Sequence, residues 1–71
     1  MRTNTKLGAT LRALRIVCHR PQIEIAQEAG LSAATLSNIE NGWREPRQDE
    51  LRRILKALGV DVDVPHLLDG A

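Results

Sequence analysis

QIEIAQEAGLSAATLSNIENG, residues 22–42, reads as two short helices joined by a three-residue turn. Ile25, Ala26 and Ala29 share one face of the first helix, and Leu36 and Ile39 share one face of the second. Gly30 stands where the first helix must stop, because glycine takes the left-handed conformation that ends a helix without steric cost. Leu31 is apolar and Ser32 is a natural N-cap, so a second helix starts at once. Gly42 ends that helix in the same way. The reading is a helix over 22–29, a turn at Gly30-Leu31-Ser32 and a helix over 33–41. A short glycine-containing connection between two such helices gives the steep crossing of a helix-turn-helix.

On the N-terminal side, Leu7, Leu11, Leu14 and Cys18 form one helical stripe, and Thr3, Asn4 and Thr5 can cap it. This predicts a helix over 5–18, stopped by Pro21, which pushes the preceding residue out of the helical region. On the C-terminal side, Trp43-Arg44-Glu45-Pro46 is a polar loop. Leu51, Ile54, Leu55 and Leu58 then predict a helix over 48–58, with Asp49 and Glu50 at its positive end and Gly59 as its stop. Asp63 can cap a last turn over 64–69 that carries Val64, Leu67 and Leu68. The expectation is one all-α domain over 1–71, a compact bundle of five short helices.

Composition agrees. The chain has 71 residues, 42% of them hydrophobic, with no Phe or Tyr, so a thin aliphatic core is expected. One cysteine cannot make an internal disulfide, and Cys18 with His19 and His66 cannot make a usual structural zinc site. No apolar run approaches the ~20 residues of a membrane span, and the first ten residues lack the apolar stretch of a signal peptide. A reduced, cytoplasmic protein with no membrane association is expected. No nucleophile–base pair, paired-carboxylate pocket or phosphate loop is visible, so neither enzyme activity nor a cofactor or metal is expected. Net charge is +1. It is unevenly spread: Arg2, Lys6, Arg12, Arg15 and Arg20 precede the first acid, whereas Asp61, Asp63 and Asp69 crowd the end. One face could therefore meet a polyanion.

The segments Gln22, Ile25-Ala26, Ala29-Gly30-Leu31-Ser32, Leu36-Ser37, Ile39-Glu40-Asn41-Gly42, Pro46 and Ala57-Leu58-Gly59-Val60 together resemble the phage repressor and Cro-like (XRE) helix-turn-helix family. The resemblance implies a lambda-repressor-like domain that binds a double-stranded DNA operator, usually as a homodimer on a two-fold symmetric site, and usually to repress transcription. It lays the second helix of the motif in the major groove. Base-reading positions then fall on Ala33, Ala34 and Asn38 with Thr35 close by, next to the cap Ser32. Roles in holding the DNA backbone fall on Gln22, Ser37, Asn41, Trp43 and Arg44, with Arg47 placed to join them. The residues themselves agree in part. With Leu36 and Ile39 inward, 33, 34, 37, 38 and 41 are free for a partner, and Asn38 can pair bidentately with adenine. Ala33 and Ala34 offer only methyl groups, so DNA shape and phosphate contacts should supply a large share of recognition.

The resemblance also implies that Arg15 and Glu40 form an ion pair linking the first helix to the end of the third. Trp43 is expected to pack over the corner between the third and fourth helices, ahead of contact with DNA or a dimer partner. Cys18 is expected in the core. Glu24 and Glu28 share a face that could meet RNA polymerase, though a solvated face is the simpler reading. Departures from the family fall at His19-Arg20-Pro21, which replaces a usual Gly-Leu-Thr. A non-glycine there must adopt the left-handed conformation, and an arginine replaces a core leucine. Ile23 stands at a usually polar position, and Arg47 where a serine or threonine usually caps the fourth helix. Val60, Val62, Val64, Leu67 and Leu68 exceed what the fourth helix needs to be covered and are assigned to a two-fold dimer contact. Within the class, an antitoxin with a toxin partner and a restriction–modification controller are the rivals. Outside it, the rival is a protein-interaction module that has lost DNA binding.

Overall fold

The computed structural model describes residues 5–60, and among them four helices follow one another: α1 (Thr5–Val17), α2 (Gln22–Glu28), α3 (Ala33–Glu40) and α4 (Gln48–Ala57). Each starts where the sequence places it and ends one residue sooner. Ala29, Asn41 and Leu58 are caps: their ψ values lie near zero and their N–H groups still bond back to carbonyls of the helix they close. Gly30, Gly42 and Gly59 follow them with φ of 70°, 77° and 80°, the left-handed turn expected of them. The helix expected over 64–69, its cap Asp63, and the caps Thr3 and Asn4 lie outside the described residues.

Leu11, Ile25, Ala26, Ala29, Leu36, Ile39, Leu51, Ile54, Leu55 and Leu58 are buried together as one aliphatic core. Leu7, Leu14, Leu31, Ala57 and Val60 pack on its margin. α3 rests on both α1 and α2, and α2 also rests on α4, so α3 is wedged in place while its outer side stays open. Gly8 is buried at the contact of α1 with the last carbonyls of α3. Cys18 departs from the expectation of a core residue: it is exposed. α1 has ended at Val17, and the turn carries Cys18 off the apolar stripe, its Sγ 3.9 Å from the Leu58 carbonyl oxygen.

The unusual His19-Arg20-Pro21 link accounts for itself locally. His19 has φ 55°, the one non-glycine with positive φ among the described residues, as its replacement of a glycine requires. Arg20, in place of a core leucine, is half-buried and acts as a polar clamp. Its Nε donates to Glu24 (3.0 Å), its Nη1 donates to the Ala57 carbonyl (3.2 Å) and its Nη2 pairs with Glu28. The guanidinium thereby satisfies a carbonyl that α4 leaves open at its C-terminus. Glu24 and Glu28 are consequently tied to Arg20 rather than simply solvated. His19→Gly should raise stability by about 0.5–1 kcal/mol: relief of the left-handed penalty, ~1–2 kcal/mol, outweighs the extra entropy of an unfolded glycine. Urea unfolding measures this, and a loss of stability would mean that the imidazole holds the turn.

Candidate nucleic-acid interface

α3 is anchored at both ends and along one side. At its start the Ser32 hydroxyl accepts from the Thr35 N–H (3.1 Å) and donates to the Thr35 hydroxyl (2.8 Å), which closes the first turn. Leu36 and Ile39 point into the core. Ala34, Asn38 and Asn41, spaced i, i+4 and i+7, are exposed on the opposite side and make a ridge about 10 Å long at 1.5 Å per residue. Ser37, Ala33 and Thr35 flank it, half-buried. Asn41 Nδ2 lies 3.4 Å from the Ser37 hydroxyl, whereas the Asn38 carboxamide makes no hydrogen bond within the described chain. A free carboxamide in the middle of an exposed, rigidly held helix is free to read a hydrogen-bonding edge.

Behind the ridge, Glu40 is buried at the end of α3 and holds two other elements. Arg15 of α1 donates to it twice, Nε to Oε2 at 2.8 Å and Nη2 to Oε1 at 3.1 Å. Gln22, the first residue of α2, donates through Nε2 to Oε1 at 3.2 Å. Arg15 also donates through Nη1 to the Arg20 carbonyl at 3.0 Å. The structure thus brings together Arg15, Gln22 and Glu40, and Gln22 reaches Glu40 although its sequence position suggested only a phosphate contact. The bidentate bond to Glu40 raises the Arg15 pKa further, against the opposing effect of burial.

The loop after α3 folds back on it: the Asn38 carbonyl accepts from the N–H groups of Trp43 (2.8 Å) and Arg44 (3.3 Å). Trp43 is 54% exposed, so the expected corner packing covers less than half of it. Arg44 is bound by Nη2 to Glu50 at 2.9 Å, and its Nη1 is buried without a partner. Its guanidinium is therefore tied to α4 through one nitrogen, while the side chain stays 36% exposed. Glu50 in turn accepts from the Arg47 N–H at 2.9 Å. It supplies the N3 half of a capping box; the other half, acceptance from the Glu50 N–H, is beyond the Arg47 side chain, which can only donate. Arg47 itself is exposed and makes no salt bridge, though its charge also favours the ionised Glu50.

The hydrogen bond from Arg44 holds the Glu50 carboxyl below its ordinary range, helped by the Arg47 N–H and opposed by burial. Because folding lowers this pKa, the contribution is complete above the unfolded value, ~4.3, and is lost as pH falls through the folded one. Thermal unfolding as a function of pH should show a drop in Tm below about pH 4.5 that is shallower in Glu50→Gln. Equal acid slopes in the two proteins would show that Glu50 carries no proton-linked stability.

Ion pairing leaves the surface lopsided. Arg15, Arg44 and Arg53 pair with Glu40, Glu50 and Asp49, and Arg20 is shared between Glu24 and Glu28. Among the described residues, Lys6, Arg12, Arg47, Arg52 and Lys56 make no salt bridge, and of the acids only Glu45 makes none. The net charge of +1 over the whole chain understates this positive excess, which suits a polyanion. No helix among the described residues is long and apolar enough to cross a membrane.

Comparison with known proteins places this geometry. The sequence profile of a family described as a helix-turn-helix domain matches residues 6–67. An uncharacterised HTH-type transcriptional regulator of Mycobacterium tuberculosis is 35% identical over 63 residues, 89% of this chain. This chain spans 45% of that protein's length. The ImmF control region 10 kDa protein of Bacillus phage phi105 is 39% identical over 59 residues, covering 83% of this chain and 66% of the phage protein. Among solved structures, the clp gene regulator ClgR of Corynebacterium glutamicum superposes with a TM-score of 0.79 at 31% identity, over 92% of this chain and 67% of that one. The restriction-modification controller protein C.AhdI of Aeromonas hydrophila does so with 0.77 at 26%, over 80% and 83%. With a profile that runs from the first turn of α1 past the end of α4, and with the packed α2–α3 pair at its centre, the chain belongs to the helix-turn-helix domain family.

Proposed function

We propose that this chain is a sequence-specific duplex-DNA-binding transcriptional regulator, acting in the cytoplasm as a dimeric repressor with α3 in the major groove. One observation carries the reading: the Ala34–Asn38–Asn41 ridge is exposed, with the Asn38 carboxamide free, on a helix whose other side is locked into the core. Asn38 would read adenine N6 and N7, a pairing worth ~1–3 kcal/mol of discrimination. Ala33 and Ala34 would pack against thymine methyls. Ser32, Thr35, Ser37 and Asn41 would border the groove, while Gln22, Trp43 and Arg47 would hold the DNA backbone. Arg44, bound to Glu50, would fix the loop that presents Trp43.

The relatives and structural neighbours support the class. They are named as transcriptional regulators, a phage control-region protein and a restriction-modification controller. A controller or an antitoxin role would use the same DNA-facing surface. Dimerisation rests on the apolar surplus of the C-terminal segment. Of that set Val60 packs on the margin of its own core, and Val62, Val64, Leu67 and Leu68 lie outside the described residues.

Selection from a randomised duplex pool at two salt concentrations tests the reading. A two-fold symmetric motif is expected, with half-sites about one helical turn apart. Its affinity should fall with salt at a log–log slope of about −0.9 per phosphate neutralised. No enrichment at either salt would refute the proposal and favour a protein-interaction module.

A further inference from the structure

We infer that Glu40 is a positioning residue for phosphate contact, acting through Gln22 as well as through Arg15. The inference rests on the DNA-binding reading above and names how its backbone contact is made. Glu40 accepts from Arg15 at one carboxylate edge and from Gln22 Nε2 at Oε1. A carboxylate can only accept, so it fixes which end of the Gln22 carboxamide turns inward: the NH2 faces Glu40. One of the two amide hydrogens is used there. The other, and no freely spinning amide, is left to donate to an anion beside α2.

Arg15 matters to this geometry because it neutralises Glu40. An unneutralised carboxylate 3.2 Å from the Gln22 amide would repel the phosphate that the amide is to hold. The Arg15–Glu40–Gln22 chain therefore sets α1, the start of α2 and the end of α3 in one fixed relation, with the charge cancelled and a single donor aimed outward. Ordering the amide before binding removes an entropy cost that a mobile glutamine would meet on contact. The side-chain amides of Gln27 and Gln48, exposed and without hydrogen bonds among the described residues, lack any such support.

The test uses the full chain and the duplex recovered by pool selection. Gln22→Ala and Glu40→Gln should each weaken binding about tenfold, the scale of one hydrogen bond to a charged group. The double variant should bind as weakly as either single one, because a carboxamide at position 40 can donate as well as accept and no longer fixes the Gln22 amide, so both changes abolish the same oriented contact. Losses that multiply to about a hundredfold, the product of two independent contacts, would overturn the positioning role and leave the DNA reading intact, since a merely structural Glu40 weakens binding in either background alike. Absence of duplex binding by the unmodified chain would overturn both. Should Glu40→Gln fail to fold, the unmodified free protein still decides. Side-chain 15N relaxation should show the Gln22 amide as rigid as the backbone and the Gln27 and Gln48 amides mobile. A Gln22 amide as mobile as theirs would overturn the inference.

Discussion

Arg15→Met should lower the stability of the domain by about 3–5 kcal/mol, the range for breaking a buried ion pair from one side. Glu40 has a side chain only 3% exposed and receives both of its strong hydrogen bonds from Arg15, at 2.8 and 3.1 Å. Methionine fills a similar volume and keeps the aliphatic stem packed, so the loss measures the stranded carboxylate rather than a cavity. Gln22 alone cannot replace a cation. A domain of this size holds about 5 kcal/mol in total, so the variant should be largely unfolded near 37 °C. Arg15→Met combined with Glu40→Leu should recover most of the loss, because removing both charges removes the desolvation penalty with them. Urea unfolding by far-UV circular dichroism gives the three values. Failure of the double variant to recover would show that the Arg15 bond to the Arg20 carbonyl, and not the ion pair, carries the energy.

Gly8→Ala is the second large effect, and its sign runs against helix propensity. On an exposed helix position alanine would gain ~1 kcal/mol over glycine. At position 8 a Cβ would fall on the Ile39 carbonyl oxygen, 2.9 Å from that of Glu40 and 3.1 Å from the Glu40 carbonyl carbon. These are backbone atoms at the end of α3 and cannot swing aside, so α1 must lift off the helix that carries the exposed ridge. A loss of about 3 kcal/mol is expected, the upper range for overpacking, with Tm lower by roughly 15 °C. Ala9→Gly, one residue on and exposed, should lose only about 1 kcal/mol. A stabilised Gly8→Ala would mean that α1 and α3 do not approach so closely.

These two sites mark the boundary of what the sequence discloses. The four helices within 5–60 were legible because their apolar spacing and their glycine stops agree. Their ends fell one residue early because a cap keeps nearly helical dihedrals while the chain is already leaving the helix. The Arg15–Glu40 link was legible through family resemblance alone, since residues 25 apart share no local pattern. Gly8 was not legible: a glycine inside a helix reads as a weak spot, and only the approach of α3 turns it into a requirement. The Arg44–Glu50 pair was missed because an acid in a first turn already has a sufficient reason in the helix dipole. A donor side chain at the cap Arg47 three residues before Glu50 was the available signal. Cys18 misled because its spacing continued a stripe that the chain had left. On the ridge itself, exposure of Asn38 followed directly from the burial of Leu36 and Ile39.

The central claim is that the exposed side of α3 reads base pairs, and repeating the pool selection with Asn38→Ala tests it most directly. The predicted result is a motif that keeps its symmetry and salt slope but loses its preference at one base pair in each half-site. An unchanged motif, or a uniform loss of affinity across all positions, would contradict the placement of α3 in the major groove.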